Sequence, residues 1–339
     1  MRVVVLTDRP DHVCYRYRFR QYVPFLRQAG VTLTPVPWPL RSASRWFWCT
    51  RLPDAEVCVI QRRLLDPLSL RVLRVRYPRL IYDFDDAVLY RDSHDPKGPL
   101  SLRRAARFRR TVRTVDLVIA GNRYLGGLAV SFGARAVRVI PTSIDTARYI
   151  FPSRRERTGR VRCVWIGSAS TLPYLEVLGP VLRQLQRQFP ELVVRVVCDR
   201  FPDWPGIRLE RVAWTEAAEA RLLAEADIGL APLPRDPWTA GKCGLKVLQY
   251  MAAGLPVVAS RTGVHPELVA HGVTGFLVET KGDWVAALRT LIEDAAMRHA
   301  MGEHARARVA TLYDVRRWAG KLVEALGAGV DDRGSCAVA

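Results

Sequence analysis

Short apolar runs alternate with segments of helical periodicity along most of the chain. In the first 150 residues, strand-like runs occur at 3–6, 57–61, 80–83, 117–120 and 137–140, with a helical pattern at 22–28. Later runs occur at 161–167, 192–198, 228–231, 256–259 and 276–278, separated by helical patterns at 174–188, 216–226, 245–253 and 283–294. Such alternation is typical of parallel sheets with helices on both faces. The sequence therefore predicts an α/β protein.

A polar, turn-rich stretch at 151–159 interrupts this alternation before it starts again. A chain of 339 residues also exceeds what one hydrophobic core usually organises. We therefore predict a domain at 1–150, a linker at 151–159 and a second doubly wound domain at 160–310. A last helix is expected at 314–328, within 311–330, and a disordered tail at 331–339.

The composition is that of a soluble globular protein. Hydrophobic residues make up 49% of the chain, which excludes a disordered or fibrous protein. The N-terminus lacks the apolar core of a signal peptide, and no apolar run approaches the roughly 20 residues of a membrane span. The seven cysteines are scattered without a CxxC pair, which fits free thiols. We expect a cytoplasmic protein.

The net charge of +19 is concentrated in the first half of the chain. Residues 1–150 contain 27 Arg or Lys against 12 Asp or Glu, a balance of +15, which leaves +4 for the remainder. The first half therefore either meets an anionic partner or is simply rich in arginine. No nucleic-acid motif accompanies the charge, so nucleic acid is not the expected partner.

One segment combines a predicted helix with cations near its start. From Lys242 to Gly254 the pattern is helical, and a proline and a short apolar run follow. At spacings of three and four, Lys242, Lys246 and Gln249 would share one helix face. The helix dipole repels cations at an N-terminus, whereas a phosphate there would accept from helix amides and both ammonium groups. The pattern indicates a phosphate-binding helix, with a solvated helix face as the alternative.

Three further segments, one before this helix and two after it, also contribute to a resemblance. They are 226–232, Ala-Asp-Ile-Gly-Leu-Ala-Pro, 272–278, Gly-Val-Thr-Gly-Phe-Leu-Val, and 301–306, Met-Gly-Glu-His-Ala-Arg. With them the chain resembles the family 4 glycosyltransferases, which use nucleotide sugars and have the two-domain GT-B fold. The likeness covers 160–325 well, and in the first half it rests on 82–87, Tyr-Asp-Phe-Asp-Asp-Ala, and 120–125, Ala-Gly-Asn-Arg-Tyr-Leu.

The resemblance implies two Rossmann-like domains facing a central cleft. The C-terminal domain would bind the nucleotide diphosphate sugar, the N-terminal domain would bind the acceptor, and the last helix would return to the N-terminal domain. It also implies a retaining reaction that needs no metal or other cofactor. Lys246 would be catalytic by stabilising the leaving diphosphate, and the expected donor-binding residues are Gly167, Ser168, Lys242, Cys243, Gly244, Leu245, Lys246 and Gln249.

Gly167 and Ser168 end the first predicted strand of the second domain. A glycine there lets the backbone approach a ligand closely, and a small hydroxyl side chain can donate to phosphate oxygens. A plain strand-to-helix turn is the alternative.

Family 4 enzymes usually carry two glutamates eight positions apart, one for the sugar hydroxyls and one for the ribose. The matching positions here are Gly241 and Gln249. The Gln249 amide offers donors and an acceptor to a ribose diol, whereas Gly241 supplies no carboxylate. The sugar would then be recognised by main-chain amides at 241–244 or by Asp236.

Carboxylates gather after a predicted strand of the first domain, at Asp83, Asp85 and Asp86. Such a group can position an acceptor hydroxyl or stabilise developing positive charge. We expect Asp85 and Asp86 to be catalytic and acceptor-binding. Helix capping, ion pairing with arginine and a magnesium site are the alternatives.

Arginines alternate with aromatic residues from His12 to Arg20. Arg16 and Arg18 would suit an anionic or sugar acceptor through charge-assisted and stacking contacts. The alternative places them on the outer face of an ordinary helix.

Four aromatic residues lie among arginines at 36–51, namely Trp38, Trp46, Phe47 and Trp48. Aromatic side chains beside cations are typical of a membrane interface, and many acceptors of this enzyme class are linked to lipids. We expect docking on an anionic membrane through this stretch and basic helices such as 102–113. Aromatic core packing between the domains is the alternative.

The sequence as a whole predicts a retaining hexosyltransferase that moves a sugar from a nucleotide diphosphate sugar to an acceptor hydroxyl. The acceptor would be a saccharide, a lipid-linked molecule or another small molecule, as in cell-envelope or polysaccharide assembly. The alternative is a noncatalytic GT-B protein that binds an anionic polymer or a membrane through its basic half. A peripheral position on the inner face of the membrane would fit either hypothesis.

Overall fold

A computed structural model describes residues 1–39, 45–149 and 160–327. These residues form two compact units, and each unit contains one sheet of six parallel strands. The first unit comprises the described parts of Met1–Ser143, Gly241–Cys243 and Val315–Ala339, and the second comprises those of Ile144–Ala240 and Gly244–Asp314. The prediction of an α/β protein with two doubly wound sheets is confirmed.

The unit boundaries differ in detail from the predicted domains. The predicted linker at 151–159 and the predicted tail at 331–339 lie outside the described residues. The first stretch of the first unit ends at Ser143 rather than at residue 150, and the second unit extends to Asp314 rather than 310. The three residues Gly241–Cys243 are grouped with the first unit by their contacts. Hydropathy along the chain carries no signal for such a grouping.

The first sheet has the strand order β2-β1-β3-β4-β5-β6. Its strands are β1 (Arg2–Thr7), β2 (Thr32–Pro37), β3 (Val57–Gln61), β4 (Arg79–Phe84), β5 (Leu117–Ala120) and β6 (Val137–Val139). Its helices are α1 (Val13–Arg18), α2 (Val23–Gln28), α3 (Arg45–Cys49), α4 (Pro67–Arg76), α5 (Leu102–Thr114) and α6 (Arg123–Ser131).

Burial explains which strands of the first unit the sequence predicted. Every residue of β3 is buried, as expected for a parallel strand covered on both faces, and it reads as one apolar run. The sequence missed β2, which contains Pro35 and Pro37 and pairs with β1 at the edge of the sheet. Proline lacks the N–H donor, and an edge strand tolerates this loss.

The second sheet has the strand order β12-β11-β10-β7-β8-β9. Its strands are β7 (Arg162–Ile166), β8 (Val193–Cys198), β9 (Leu209–Ala213), β10 (Ile228–Ala231), β11 (Val257–Ser260) and β12 (Gly275–Val278). Its helices are α7 (Leu172–Glu176), α8 (Gly179–Gln188), α9 (Glu219–Ala224), α10 (Pro237–Ala240), α11 (Leu245–Ala252), α12 (His265–Leu268), α13 (Lys281–Glu293) and α14 (Ala295–Leu312).

The helix predicted at 174–188 is two helices in the structure, α7 and α8. Pro180 stands in the first turn of α8, where its missing N–H costs nothing. The same ring would clash inside a continuous helix, so the helical path ends before it.

The last helix, α15, spans Val315–Leu326 and belongs to the first unit. Val315, Ala319 and Leu322 are buried in a cluster that also contains Tyr22 and Leu26. Among the described helices, none combines the length and the apolar character needed to cross a membrane.

Candidate functional site

The candidate donor site lies in the second unit, at the carboxyl ends of its strands. The strand order proceeds outwards from β7 and β10 in opposite directions, so the switch point of the sheet lies between them. Ligands of open parallel sheets bind beyond the strand ends at such a point. Helix α10, which follows β10, contacts the loop after β11, because a Cβ placed on Gly263 would lie 2.8 Å from the carbonyl oxygen of Thr239.

Lys246 is the second residue of α11 and stands at this switch point. Its Nζ lies 4.0 Å from the ring centroid of Trp165, in β7, and 3.4 Å from Oγ1 of Thr171. The ammonium group is therefore held beside the end of β7 and the first turn of α11. Trp165 and Thr171 were not predicted as site residues, although their position on either side of Gly167 was visible in the sequence.

Gly167 is required by the close approach of its neighbours. A Cβ at this position would lie 2.6 Å from Cζ2 of Trp165 and 2.8 Å from Oγ1 of Thr171. The hydroxyl of Thr171 accepts from the backbone N–H of Ser168 at 3.2 Å, and Ser168 Oγ lies 3.0 Å from Ser170 Oγ. These residues build the strand-to-helix turn, and a donor contact by Ser168 stays a prediction.

A left-handed glycine separates the two lysines that the sequence placed on one helix face. Gly244 has a φ of 69°, and α11 begins at the next residue, Leu245. A Cβ on Gly244 would also lie 2.9 Å from Cγ1 of Val264. The prediction that Lys242 shares a helix face with Lys246 is wrong, because the left-handed residue between them starts the helix after Lys242.

Lys242 and Cys243 belong to the first unit. The Nζ of Lys242 lies 3.0 Å from Oδ1 of Asp86. Cys243 Sγ occupies the space where a Cβ on Gly121 would lie, at 2.5 Å, and burial raises the pKa of Cys243. The predicted donor contacts of both residues stay predictions.

The first turns of α11 contain the other two predicted donor residues. Leu245 is partly exposed at the start of the helix. Gln249 is 3% exposed, so a ribose would have to reach an almost enclosed amide. Its ribose contact stays a prediction.

His265 begins α12 just after β11 and is 3% exposed. Its Nδ1 lies 2.9 Å from the carbonyl oxygen of Ser260, to which a neutral imidazole protonated on Nδ1 donates. Burial lowers the pKa of His265 to about 4. The hydrogen bond to Ser260 acts to raise this pKa, and the charge of Lys246 acts to lower it. The residue is therefore a neutral side chain of the candidate donor site at neutral pH.

A second charged group follows β3 and β4 in the first unit. Arg62 Nη2 lies 2.5 Å from Asp86 Oδ2, and Arg62 Nε lies 3.4 Å from Asp85 Oδ1. Burial acts to raise the pKa of Asp86, but Lys242 and Arg62 outweigh it and hold this pKa below its usual range. Asp86 is therefore a carboxylate at neutral pH that two cations already contact. Its role at an acceptor stays a prediction.

Arg62 has an unusual backbone for an arginine. Among the described residues other than glycine, it is the one with a positive φ, at 61°. Strain of this kind persists where the surroundings hold the residue, and functional sites are common places for it. The guanidinium also contacts Cys14 Sγ at 2.6 Å. Arg62 was not predicted as a site residue, although it follows β3 directly, much as Asp85 follows β4.

Arg16 and Arg18 are 2% and 4% exposed, so the alternative that placed them on an outer helix face is wrong. Arg18 Nη2 lies 2.5 Å from Asp83 Oδ1, and its Nη1 donates to the carbonyl oxygen of Ile140 at 2.6 Å. Burial raises the pKa of Asp83, and Arg18 acts in the opposite direction. Arg16 donates to the hydroxyl of Tyr17. This geometry favours a core ion pair for Arg18 over the predicted acceptor contact.

The aromatic residues near 36–51 divide into two pairs. Trp38 is 5% exposed and packs edge to face with Trp48 at a centroid distance of 5.2 Å. Trp38 lies in the core of the first unit, so its predicted place on a membrane surface is wrong, whereas Trp48 is partly exposed and its place there stays a prediction. Trp46 and Phe47 are 43% and 44% exposed. Residues 40–44 of this stretch lie outside the described part of the chain.

Gly241, at the position of the first family glutamate, has no space for a side chain. A Cβ there would lie 2.6 Å from Cβ and 2.7 Å from the backbone nitrogen of Ala87, within the first unit. The proposed substitute, Asp236, accepts from the N–H of Thr239 at 2.9 Å at the start of α10. Among the described residues, no three His, Cys, Asp or Glu side chains are arranged to hold a metal ion.

Comparisons with known sequences match about half of the chain. Residues 150–294 match the family described as Glycosyl transferases group 1. A D-inositol 3-phosphate glycosyltransferase of Corynebacterium jeikeium is 32% identical over 204 residues, which are 50% of this chain and 46% of that protein. A glycogen synthase of Mycobacterium tuberculosis is 27% identical over 195 residues, 54% of this chain and 46% of that protein. The chain spans about half the length of these curated relatives.

Solved structures match almost the whole chain at low identity. HepE from Anabaena, solved with UDP and glucose, has a TM-score of 0.70 at 19% identity and covers 96% of this chain and 99% of its own. A sucrose-phosphate synthase from Thermosynechococcus elongatus has a TM-score of 0.76 at 15% identity, with 97% of this chain and 100% of its own covered. These likenesses show the fold, which is that of the GT-B glycosyltransferases.

The recognition from sequence is thereby confirmed at the level of the group, and the matched stretch contains the switch point, Lys246 and His265. Residues 150–294 of this chain therefore match the glycosyl transferases group 1, and the fold is that of the GT-B glycosyltransferases.

Proposed function

We propose that this chain is a retaining glycosyltransferase of family 4 that transfers a hexose from a nucleotide diphosphate sugar to an acceptor hydroxyl. The observation that carries the proposal is the place of Lys246, a partly buried cation on the first turn of α11, at the switch point of a group 1 sequence. The second unit would bind the donor, and the first would bind the acceptor.

The chemistry needs stabilisation of negative charge on the leaving diphosphate. Lys246 supplies an ammonium group, and the N-terminal amides of α11 supply donors that are fixed before the reaction. Preorganised charge of this kind is usually the largest single contribution to such a reaction. We propose that these groups serve in place of a metal ion, so removal of divalent cations with a chelator should leave turnover unchanged.

The acceptor side of the proposal rests on Asp85 and Asp86. Both side chains are largely enclosed, at 14% and 12% exposed, and Asp86 is held ionised by Lys242 and Arg62. A carboxylate held in this way can accept a hydrogen bond from a sugar hydroxyl and fix its orientation. We propose a saccharide or a lipid-linked saccharide as the acceptor.

A thermal-shift panel of UDP, GDP, ADP, dTDP and their common sugars tests the donor assignment. A ligand that binds the native state raises the unfolding midpoint by mass action. Because HepE was solved with UDP and glucose, UDP and UDP-glucose are the first members of the panel. Selective stabilisation by one nucleotide is expected, and its sugar is then used in a turnover assay with saccharide acceptors.

The variant Lys246→Ala tests the role of this cation. We expect turnover to fall on the order of 10²-fold or more, the loss seen when one fixed electrostatic contact to a developing charge is removed. Lys281→Ala is the matched control, because Lys281 is an exposed lysine near a helix start in the same unit. Equal turnover in the two variants, at unchanged thermal stability, would contradict the proposal.

The second hypothesis is a noncatalytic GT-B protein that binds an anionic polymer or a membrane. The observation that favours it is the packing of Gly241 on Ala87, which leaves no room for a carboxylate at the position of the family glutamate. A protein of this kind would show no selective nucleotide stabilisation at millimolar ligand. It would instead bind polyanions with a steep dependence on salt.

A further inference from the structure

The first unit carries a layer of three helices without acidic residues on one side of its sheet. Helices α3, α4 and α5 contain ten arginines and no Asp or Glu. Helix α3 contacts α4, and α4 contacts α5. Their inward residues, which include Cys49, Leu70, Leu73, Phe108 and Val112, share one core cluster. The outward sides of the three helices therefore face away from the same core. We call this outward surface the arginine layer.

Exposed apolar side chains stand among the arginines of this layer. On α5, Leu102 is 91% exposed beside the exposed Arg103. On α4, Leu68, Arg71 and Val75 are exposed at spacings of three and four, so they form one stripe, and Val75 is 83% exposed. On α3, Trp46 and Phe47 are also exposed.

Three acidic residues near the layer already have partners. Asp116 pairs with Arg74 at 2.5 Å, and Asp54 pairs with Arg76 at 2.7 Å. Asp66 accepts from the N–H of Ser69 at the start of α4. The exposed arginines of α5, Arg103, Arg104, Arg109, Arg110 and Arg113, add to a positive surface that these acids leave uncompensated.

We propose that the arginine layer docks on an anionic lipid bilayer. Arginines attract an acidic headgroup surface, and each basic residue near such a surface strengthens binding by roughly fivefold. Exposed leucine, valine and aromatic side chains add affinity only where they can leave water, as at the boundary between headgroups and acyl chains. A nucleic acid would use the arginines but would gain little from Leu102 and Val75. The combination therefore favours a bilayer.

This proposal does not rest on the transferase activity, since every residue that it uses lies in the first unit. Vesicle binding is measured without a nucleotide sugar, so a failure here leaves the proposed function untouched. Conversely, a protein that binds no nucleotide can still bind the bilayer through this surface.

The test is co-sedimentation of the whole protein with vesicles at physiological ionic strength. The vesicles contain phosphatidylcholine alone or equal parts of phosphatidylcholine and phosphatidylglycerol. We expect the protein to sediment with the anionic vesicles and to stay in the supernatant with the neutral ones. Protein that stays in the supernatant with both overturns the proposal.

Two sets of variants locate the surface. The triple variant Arg103→Ser, Arg109→Ser and Arg110→Ser should lower the partition coefficient for anionic vesicles about 100-fold, at roughly fivefold for each arginine. The charge-matched control replaces three exposed arginines of the second unit with serine, at positions 187, 200 and 211. Thermal unfolding confirms that both variants fold. An equal loss of binding in the control overturns the assignment to the arginine layer.

The variant Leu102→Ser separates a bilayer from a soluble polyanion. Leu102 is almost fully exposed, so this change leaves folding unaffected. We expect weaker binding to anionic vesicles and unchanged binding to heparin or duplex DNA. Two results together would overturn the proposal of bilayer docking in favour of a nucleic-acid partner. They are unchanged vesicle binding in Leu102→Ser and tight binding of the parent protein to duplex DNA.

Discussion

The pKa of His265 makes a quantitative prediction about stability in acid. The imidazole is 3% exposed, and burial lowers its pKa to about 4. In the unfolded chain the pKa is close to 6.5. As the pH falls below about 6.5, the imidazole binds a proton in the unfolded state but stays neutral in the native state. The free energy of unfolding therefore decreases. The stabilising contribution is complete above the unfolded pKa and is lost as the pH falls through the native pKa.

The size of the loss follows from the difference between the two pKa values. That difference is about 2.5 pKa units, and each unit corresponds to 1.36 kcal/mol, so the loss approaches about 3 kcal/mol below pH 4. At about pH 5 roughly half of this loss should already be measurable.

The assay is urea unfolding followed by tryptophan fluorescence between about pH 7 and about pH 5. The parent protein is compared with His265→Gln, which cannot titrate, and with His304→Gln, in which an exposed histidine of the same unit is removed. Other groups contribute to the pH dependence of all three proteins, and the difference between the variants isolates His265. Proton NMR of the imidazole measures the native pKa directly. Identical pH dependence in all three proteins, or a native pKa near 6.5, would refute the reasoning.

Two further predictions concern the first unit. Arg18→Met leaves the buried carboxylate of Asp83 without its ion-pair partner, so the free energy of unfolding should fall by about 3–5 kcal/mol, while the added change Asp83→Leu should recover part of that loss in urea titrations. A cost of Arg18→Met below about 1 kcal/mol would contradict the ion pair. Gly241→Glu should lower stability by about 2 kcal/mol and restore no function, because a Cβ at this position meets Ala87 at 2.6 Å. A Gly241→Glu protein that is fully stable and more active would show that the position accommodates the family glutamate.

Alternation of apolar runs was sufficient to predict most of both sheets. The predicted strands at 57–61, 117–120 and 228–231 match β3, β5 and β10 residue for residue. These strands are buried on both faces, so their sequences are continuous apolar runs bounded by polar residues. The edge strands β2 and β9 were not predicted, because both are partly exposed and neither is a continuous apolar run. Strand β2 contains prolines, and β9 contains charged residues.

The candidate site was predictable only in part. The glycines that end strands, the cations near α11 and the carboxylates after β4 are all visible in the sequence. The partners of these residues are not visible in the sequence. Lys246 and its partner Thr171 are 75 positions apart along the chain, and Arg18 and its partner Asp83 are 65 positions apart. Sequence patterns report local periodicity, whereas such pairs depend on the order of strands in a sheet.

The sequence by itself determined the α/β class, the match of residues 150–294 to the glycosyl transferases group 1 and the excess of arginine in the first half. Only the tertiary structure decided where individual charges act. Gly244, at a φ of 69°, lies between Lys242 and the start of α11 at Leu245, so Lys242 lies outside the helix and its Nζ contacts Asp86. Periodicity gave Lys242 and Lys246 the same helix face, but one left-handed residue redirects the backbone and so assigns each lysine a different set of neighbours.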